Sequence, residues 1–581
     1  MDKKEIKETD VWVLYERAVN FCSMMGMFND TDLNYRMYNG DQWQGLKIKG
    51  IEKIQYNFIK PIVKYKTGII LSNLYAINFS SENFEFTNDI NTADSICRML
   101  NKKAARIWEK DYMDVKLRYA VKDAAINDEG IIYVNVDNGE ITNEIINKND
   151  IYYANENDPD IQKQPYILIK QRKPVSEVQE IARRNGVPEW QIAHIMGDND
   201  NIEEAGESAK YEKENMVTLV TKMYKKNGSI YFSQATKYVE LKKDKNTTLS
   251  YYPVAHLLWE EKKGSARGEG EVRFLIPNQL ETNKTAMRRA LTVKNTAYPQ
   301  KVVNESKIMN PNSLNQVGGV IKVKGGNVVD DVSKIIANLN PAQMSGDVEK
   351  LQIELIQTTR ELAGAGDIAT GQVNPESASG RAILAVQQAS QQPLTEHLLY
   401  TKVFIEDLAR IWLDIIIAYN DLVNLEQEEI NQQTGETERR IVRVKTSVLK
   451  ELQASVKVDI TPKGAFDKYA QEQSIENMFT AGKFDPNLLP QLETYVDLLD
   501  DDSVMPKQKL VKAVKNIKEQ QEKIARIDAE AQLMKQKANQ FLMGDIDLQA
   551  SQIAEARSGI AAEAMPEEVP AEEMQEEEAM F

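Results

Sequence analysis

The chain has 581 residues and a formal net charge of −16 at pH 7, with 42% hydrophobic and 28% charged residues. This length predicts several sub-structures. The acidic total argues against a protein that grips nucleic acid over its whole surface, because tight phosphate binding needs many Lys and Arg. Cys22 and Cys97 form no C-x-x-C motif, and we expect buried thiols in a reducing compartment. A charged N-terminus and no long apolar run predict a soluble, intracellular protein with no membrane span.

The first half of the chain changes from a helical to a strand pattern. The first hundred-odd residues are predicted to be mostly helical, and 91–127 to be one long amphipathic helix. Turn signals at Asp137-Asn138-Gly139 and Asn227-Gly228 predict two β-hairpins. Between them, 166–171 is a predicted strand, and Ser176 to Gln179 is a predicted capping box that opens a short helix. This order predicts the α+β class, predominantly helical, and not alternating βαβ units.

The middle of the chain predicts a stalk. A helix runs to about Asn295, and Lys284 and Arg288 lie beside its narrow apolar stripe at i, i+4 spacing. A small segment with short strands and turns follows. A second helix begins near Ser345, its predicted N-cap, and ends at Gly364. We expect the two helices to be antiparallel and to be joined by a compact tip, so that together they form a stalk.

Within 374–390 a loop of small polar residues turns into a helix, and the strongest helical pattern of the chain runs from about Ser379 to Tyr419. Pro393 lies inside this pattern and predicts a kink, since apolar spacing resumes directly after it. We expect its apolar residues to pack partly within the subunit and partly toward a neighbouring one. The residues expected to make this packing are Leu394, Leu398, Ile405, Leu408 and Trp412. The chain then returns to strand, continues in three helical stretches, and ends in an acidic tail that is predicted to be disordered.

Residues that could support catalysis are scattered. The three histidines form no metal motif, and 364–369 fits the loose pattern G-x-G-x-x-A but follows a helix instead of a strand. The acidic pairs Asp501-Asp502, Glu260-Glu261 and Glu428-Glu429 have no third ligand in a recognisable motif. We therefore predict no catalytic residues, no metal, no cofactor and no enzyme activity.

Four stretches, in this order, resemble the portal proteins of tailed bacteriophages, the head-to-tail connectors. They are "YNGDQW" with "YNFIKPIVKYKTGIIL", "YYPVAHLLWEEKKGSARGEGEVRFLIPNQLETNKTAMRRAL", "GGVIKVKGG" and "IELIQTTRELAGAGDIATGQVNPESASGRAILAVQQAS". The likeness covers most of the chain.

The resemblance implies a fold with wing, stem, clip and crown regions. By position, the wing is 1–265 and 381–500, the stem is 266–297 and 341–364, and the clip is 298–340. The tunnel loop is 365–380, the crown 501–560 and the acidic tail 561–581. The implied assembly is a ring, usually of twelve subunits, at one capsid vertex, with double-stranded DNA passing through its centre without sequence specificity. The implied partners are terminase, head-completion or adaptor proteins, the major capsid protein and possibly a scaffolding protein.

A loop that lines a channel for moving DNA should not read or hold bases, since paired contacts to base edges would fix the strand at one register. From 365 to 379 the only charges are Asp367 and Glu376. We therefore expect a mostly repulsive tunnel, with attraction limited to rings of stem cations. The residues expected to face the channel are Lys284, Arg288, Asp367, Thr370, Gln372, Asn374, Glu376, Ser377 and Ser379.

Two alternatives remain open at this stage. One is another phage structural adaptor or scaffold without a DNA channel. The other is a DNA-processing hydrolase with a site assembled from scattered acids.

Overall fold

The computed structural model describes residues 7–45, 52–81, 90–137, 139–198, 215–297, 301–315, 320–324, 335–338, 344–366, 392–419, 422–430, 437–452, 454–462, 514, 518, 523–524 and 526–533. The chain divides into two compact units, Met1–Thr461 and Pro462–Phe581. Helix accounts for 52% and strand for 25% of the structure. This mixture confirms the predicted α+β composition with helix predominating.

Five helices occupy the first part of the chain: α1 (Asp10–Met24), α2 (Asn29–Asn39), α3 (Ile59–Leu71), α4 (Ile90–Lys110) and α5 (Met113–Asn127). The prediction of a mostly helical start missed one strand, β1 (Asn73–Ser81), which pairs with β14 (Ala454–Pro462). An early strand and a late strand thus form one small sheet, a pairing that local sequence patterns do not encode.

The single helix predicted over 91–127 is wrong, because the chain breaks between α4 and α5. Tyr112 adopts a left-handed backbone conformation with φ of 51°. At the break, the Asp111 carboxylate accepts hydrogen bonds from the backbone N–H and the side-chain Nδ2 of Asn143, at 2.8 and 2.7 Å, and pairs with Lys116 at 2.5 Å. This tertiary contact explains why the helix stops here although the apolar spacing continues.

Two antiparallel sheets follow. The first has the order β3-β2-β9, with β2 (Glu129–Asp137), β3 (Glu140–Ile146) and β9 (Val254–Leu258). The second has the order β4-β5-β6-β7-β8, with β4 (Ile151–Tyr153), β5 (Tyr166–Pro174), β6 (Met216–Lys226), β7 (Ser229–Ala235) and β8 (Glu240–Asn246). Both predicted hairpins are confirmed. In the second, Asn227 and Gly228 have φ of 52° and 77°, as a two-residue turn between twisted strands requires.

The predicted capping box at Ser176 is wrong. Helix α6 (Val175–Arg184) begins one residue earlier, at the end of β5, and Pro174 is its N-cap residue without a side-chain cap bond. Gln179, the other member of the predicted box, donates through its Nε2 to the carbonyl of Ile195 at 3.2 Å. The strand ladder extends to Pro174 and therefore fixes where the helix begins. A one-turn helix, α7 (Glu189–Ile192), follows.

The second half contains the long helices. They are α8 (Glu271–Ala297), α9 (Asp347–Leu362) and α10 (Thr395–Tyr419), and a short α11 (Thr446–Leu452) comes later. The strands are β10 (Lys301–Val303), β11 (Ile336–Asn338), β12 (Leu422–Ile430), β13 (Thr437–Lys445) and β14. The return to strand is confirmed, although β12 was not predicted. Gly346, not Ser345, is the N-cap residue of α9, and the Ser345 hydroxyl accepts from the Asp347 N–H at 3.2 Å. In the second unit, 526–533 are helical.

The main core brings early and late parts of the chain together. It joins α3, α4, α5 and α10 with the β3-β2-β9 sheet. Two smaller clusters lie on the five-stranded sheet, one beneath α1 and one beneath α6 and α7. The side of 91–127 predicted to be buried from its apolar spacing is confirmed at all positions but one: Ile107 is half-buried, and the others are buried, namely Ile96, Leu100, Met113, Leu117 and Val121.

Strand β2 runs so close to α5 that Gly130 has no room for a side chain. A Cβ at this position would lie 2.1 Å from the carbonyl oxygen of Ala120. The helix and the sheet can therefore approach at this distance only with glycine here.

We expect Gly130→Ala to destabilise the first unit by about 3 kcal/mol, because α5 must move off the sheet. The matched control is Gly68→Ala in α3, where nothing lies within 4 Å of the added Cβ. That change should be neutral or stabilising by up to about 1 kcal/mol, since alanine is the better helix former. Chemical denaturation measures both. Equal stabilities of the two variants would contradict the close packing.

Candidate functional site

Helices α8 and α9 have the two short strands β10 and β11 between them, and we call these four elements the stalk. Twenty-seven residues make α8 about 40 Å long. Beyond it, β10 pairs antiparallel with β11, with Lys301 opposite Asn338 and Val303 opposite Ile336. The short sheet therefore brings the two ends of the tip segment together.

The two stalk helices are antiparallel and joined by polar contacts. Asn278 Nδ2 donates to Thr359 Oγ1 at 2.9 Å, and Arg289 Nη1 donates to Gln352 Oε1 at 2.8 Å. Arg289 also lies 3.2 Å from a carboxylate oxygen of Glu349. Thr359 and Gln352 are buried, while most other positions of α9 are exposed. A single stripe of α9 thus faces α8.

The inner part of α8 is held by buried amides. Gln279 and Asn283, one turn apart, are completely buried. The backbone N–H of Phe58 donates to Gln279 Oε1 at 3.0 Å, and that of Tyr56 donates to Asn283 Oδ1 at 2.9 Å. Asn283 Nδ2 in turn donates to the Gln42 side chain. The stalk helix therefore provides hydrogen-bond acceptors for backbone groups of the segment before α3, which is neither helix nor strand, as buried polar groups require.

A buried ionic cluster lies just before α8 begins. The Arg267 guanidinium is 2.9 and 3.0 Å from the two carboxylate oxygens of Glu156 and 2.5 Å from Glu129 Oε1. Its Nη2 also donates to the carbonyl of Ile151 at 2.9 Å, and His256 Nε2 lies 2.6 Å from Glu129 Oε2. Both carboxylates thus have a partner, which is the condition under which buried charges are tolerated.

The cluster controls the ionisation of Glu129. Complete burial alone would raise its pKa, but the positive charge of Arg267 and the hydrogen bond with His256 hold that pKa at about 2. Glu129 is therefore a carboxylate throughout the neutral range.

A second set of contacts fixes the first turn of α8. Lys66 Nζ pairs with the Glu271 carboxylate at 2.7 Å, and both side chains are largely buried. The backbone N–H of Gly270 donates to Asp128 Oδ1 at 2.8 Å. The base of the stalk is thereby connected to α3 and to the end of α5.

Of the residues predicted to face a channel, the structure describes Lys284 and Arg288. Both are about half exposed, and both lie near one acid: Glu281 is 3.8 Å from Lys284 Nζ and 2.9 Å from Arg288 Nη1. The sequence reasoning missed Glu281, although its i−3 and i−7 spacing from these cations was a visible signal. That both side chains face a channel stays a prediction.

The other residues predicted to face the channel lie outside the described residues. These are Asp367, Thr370, Gln372, Asn374, Glu376, Ser377 and Ser379.

The predicted packing residues lie on α10 and the turn before it. Leu394, Ile405, Leu408 and Trp412 are buried and Leu398 is half-buried, all within one subunit. Trp412 Nε1 donates to Asn143 Oδ1 at 2.9 Å, and its ring meets that of Trp108 at 6.4 Å. Apolar side chains of the same helix that face outward are Leu399 and Val403, 56% and 42% exposed. Contact with a neighbouring subunit stays a prediction.

Pro393 lies in a 3-10 turn, Gln392–Leu394, immediately before α10. The preceding residues, 367–391, lie outside the described part of the chain, so the kink at Pro393 stays a prediction.

Two of the three histidines pack against other side chains of the first unit. His397 packs against Trp259 with ring centroids 4.3 Å apart, and burial lowers the pKa of His397. His256 belongs to the Arg267 cluster. Among the described residues, no group of three or more His, Cys, Asp or Glu side chains could hold a metal ion. Within the same residues, no helix is long and apolar enough to cross a membrane.

Comparison with protein families identifies the family to which the chain belongs. The family model described as "Phage P22-like portal protein" matches residues 29–567. The chain belongs to the P22-like phage portal protein family. A search of curated proteins finds no match to the chain.

Membership of this portal family makes the chain a structural component of a phage capsid, at the connection of head and tail. It implies a subunit of an oligomeric ring that is assembled with the capsid in the virion. The match includes the whole stalk and both strands of its tip.

We expect Arg267→Leu to cost about 3–5 kcal/mol of unfolding free energy, because it leaves the Glu129 and Glu156 carboxylates buried without their cation. The control is Arg273→Leu on the first turn of α8, whose guanidinium is exposed and 4.0 Å from Asp30. An exposed pair of this kind contributes about 0–1 kcal/mol. Urea denaturation distinguishes the two, and similar losses would show that the cluster does not hold the base of the stalk.

The cluster also predicts a pH dependence. Because the folded pKa of Glu129 is lowered from 4.5 to about 2, its contribution is complete above pH 4.5 and is lost as the pH falls toward 2. The contribution is at most about 3 kcal/mol. We expect Glu129→Gln to be less stable than wild type at neutral pH and to lose less stability across this window. Denaturation curves of both proteins at each pH test this. The expectation would be contradicted if the unfolding free energies of the two proteins changed with pH in the same way.

Proposed function

We propose that the chain forms a ring, usually of twelve subunits in this family, at one capsid vertex, and that its stalks surround an axial channel for double-stranded DNA. The channel serves both packaging and ejection of the genome. The tip, 298–340, docks the packaging terminase during filling and head-completion or adaptor proteins afterwards. The wing contacts the major capsid protein and, during assembly in the host cytoplasm, a scaffolding protein.

The observation that carries this proposal is the half-covered stalk. Helix α9 packs one stripe on α8 and leaves Leu351 and Ile353, 49% and 52% exposed, on its other faces. An isolated two-helix stalk with exposed apolar residues is poorly stabilised, because helices gain most of their stability from packing an amphipathic face. Neighbouring stalks in a ring would cover these residues and leave a hole at the centre.

The charges of the stalk suit the passage of DNA. Helix α8 carries five basic and two acidic side chains, while α9 carries two basic and four acidic ones. The two helices together are thus nearly neutral, and Glu281 offsets part of the attraction of Lys284 and Arg288 for phosphate. Since each unopposed phosphate contact strengthens binding, a nearly neutral wall lets the duplex slide instead of being trapped.

The segment 365–380 would form the narrowest lining in this proposal. Most of its side chains are small and neutral, Asp367 and Glu376 are its only charges, and it has no Lys or Arg that could hold a phosphate. This role and the channel-facing positions from Thr370 to Ser379 are parts of the proposal. No observation on the described residues favours an adaptor without a channel, or a hydrolase.

The test is end-on imaging of the purified protein together with measurement of its particle mass. We expect wild type to form discs with a central hole, and the double variant Leu351→Asp/Ile353→Asp to fold but remain monomeric, because the charges prevent packing of adjacent stalks. The control is Met196→Asp, which changes an apolar residue outside the stalk that is somewhat more exposed, at 65%, and should leave the ring intact. Rods or monomers of wild type, or rings of the double variant, would overturn the proposal.

A further inference from the structure

The strands β6, β7 and β8 carry a positive charge that is exceptional for this chain. Residues 222–245 contain seven lysines and two acidic residues, in a protein whose formal net charge is −16. We call this segment the basic edge, because β8 is an edge strand of the five-stranded sheet and its residues 243–246 are exposed. It lies in the β-rich part of the first unit and not in the stalk.

Ammonium groups of the basic edge lie over aromatic rings. Tyr166, Tyr224 and Tyr231 are directly opposite one another on β5, β6 and β7. Lys222 Nζ lies 5.5 and 5.3 Å from the ring centroids of Tyr166 and Tyr224, and Lys226 Nζ lies 5.8 Å from that of Tyr231. Cation–π contacts of this kind position an ammonium group without neutralising it.

Other lysines lie on the opposite face of the same strands. Lys242 Nζ is 5.3 Å from the centroid of the Phe232 ring, and Lys245 pairs with Phe232 in the register. Phe232 follows Tyr231, so the alternation of a strand places it on the other face. The basic edge thus presents ammonium groups on both faces of the sheet.

Four of these lysines form no close ion pair among the described residues, although the Asp244 carboxylate is near enough for the charge of Lys222 to help lower its pKa. Among the described residues, no carboxylate lies within 4.0 Å of Nζ of Lys222, Lys226, Lys242 or Lys245. Of the two acids of the segment, Asp244 accepts from the Tyr224 hydroxyl at 2.7 Å and Glu240 lies 3.9 Å from Lys243, so two acids face seven lysines. Burial and then the charge of Lys245 lower the pKa of Lys242. Like charges held together without a counter-charge favour the binding of an anion.

We propose that the basic edge is a contact surface for the phosphate backbone of double-stranded DNA, separate from the channel. The segment has lysines and no arginine. Lysine is a point charge suited to sequence-independent phosphate contacts, whereas arginine reads guanine in a bidentate manner. The tyrosine faces are covered by lysines, so they cannot stack on the bases of a single strand.

The arrangement on two faces favours a duplex over a flat acidic protein surface. A duplex groove is flanked by two phosphate backbones, and the major groove is wide enough for a β-ribbon. Ammonium groups on both faces of one sheet edge can therefore each approach a backbone, whereas a flat acidic surface would meet one face only. The high linear charge of DNA adds the release of counterions, which isolated protein carboxylates do not supply.

The experiment measures binding of the full-length protein to a labelled random-sequence duplex by fluorescence anisotropy, from about 50 to about 200 mM salt. We expect the variant Lys222→Gln/Lys226→Gln/Lys242→Gln/Lys245→Gln to lose at least about tenfold in affinity at low salt. The slope of log K against log salt should fall in magnitude by about 3 to 4, because four phosphate contacts are removed. Substituting arginine at the four positions should retain the affinity.

The matched control removes four exposed cations that do have carboxylate partners: Lys110, Lys163, Arg183 and Arg184. Changing all four to Gln alters the net charge equally and should leave the slope within about one of wild type. Imaging of every variant checks that ring formation is unchanged, which separates this proposal from the proposed channel. An unchanged slope in the first variant, or equal loss in the control, would overturn the proposal. Displacement of DNA by polyglutamate of equal charge at equal concentration would also overturn the proposal. It would show that the surface binds an acidic protein as well as it binds DNA.

Discussion

The stalk depends on the burial of one positive charge. Arg267 precedes α8, and its guanidinium is surrounded by Glu129 from β2, Glu156 from the loop after β4 and the carbonyl of Ile151. Removing two carboxylates and a guanidinium from water is costly, and only complete pairing offsets that cost. The three segments must therefore meet in one geometry. This requirement sets the point from which α8 leaves the sheet, and hence the direction of everything beyond it.

The parts of the fold that the sequence predicted are those that local periodicity and turn chemistry determine. The hairpin at Asn227-Gly228 needs only two residues that tolerate positive φ, and α8 and α9 follow from a spacing of three and four residues. The predictions were wrong where the end of a helix or the existence of a strand depends on a residue that is distant in the sequence. Asp111 ends a helix because Asn143 is its partner, and β1 exists because β14 lies beside it. Neither partner can be found from the short stretch of sequence around the element that it affects.

The same distinction applies to the candidate site. Lys284 and Arg288 could be found from helical spacing, and Glu281 could have been found in the same way. Gln279 and Asn283 could not be found in this way. An amide side chain on a helix is normally expected to be exposed, and only the tertiary structure places the backbone N–H groups of Tyr56 and Phe58 against these two. The residues that position the stalk are thus less predictable than those on its surface, since positioning requires contacts across more than two hundred residues of sequence.

The chain holds its cations in two different ways, and the difference determines what each can do with a polyanion. On the stalk, Lys284, Arg288 and Arg289 each lie close to a glutamate, so a phosphate in the proposed channel would compete with a carboxylate that is already present. On the basic edge, Lys222 and Lys226 rest on tyrosine rings, which orient the ammonium group and leave its charge available. A surface of the first kind allows movement, because contacts form and break at little net gain. A surface of the second kind retains DNA, because each phosphate that arrives displaces only counterions and water.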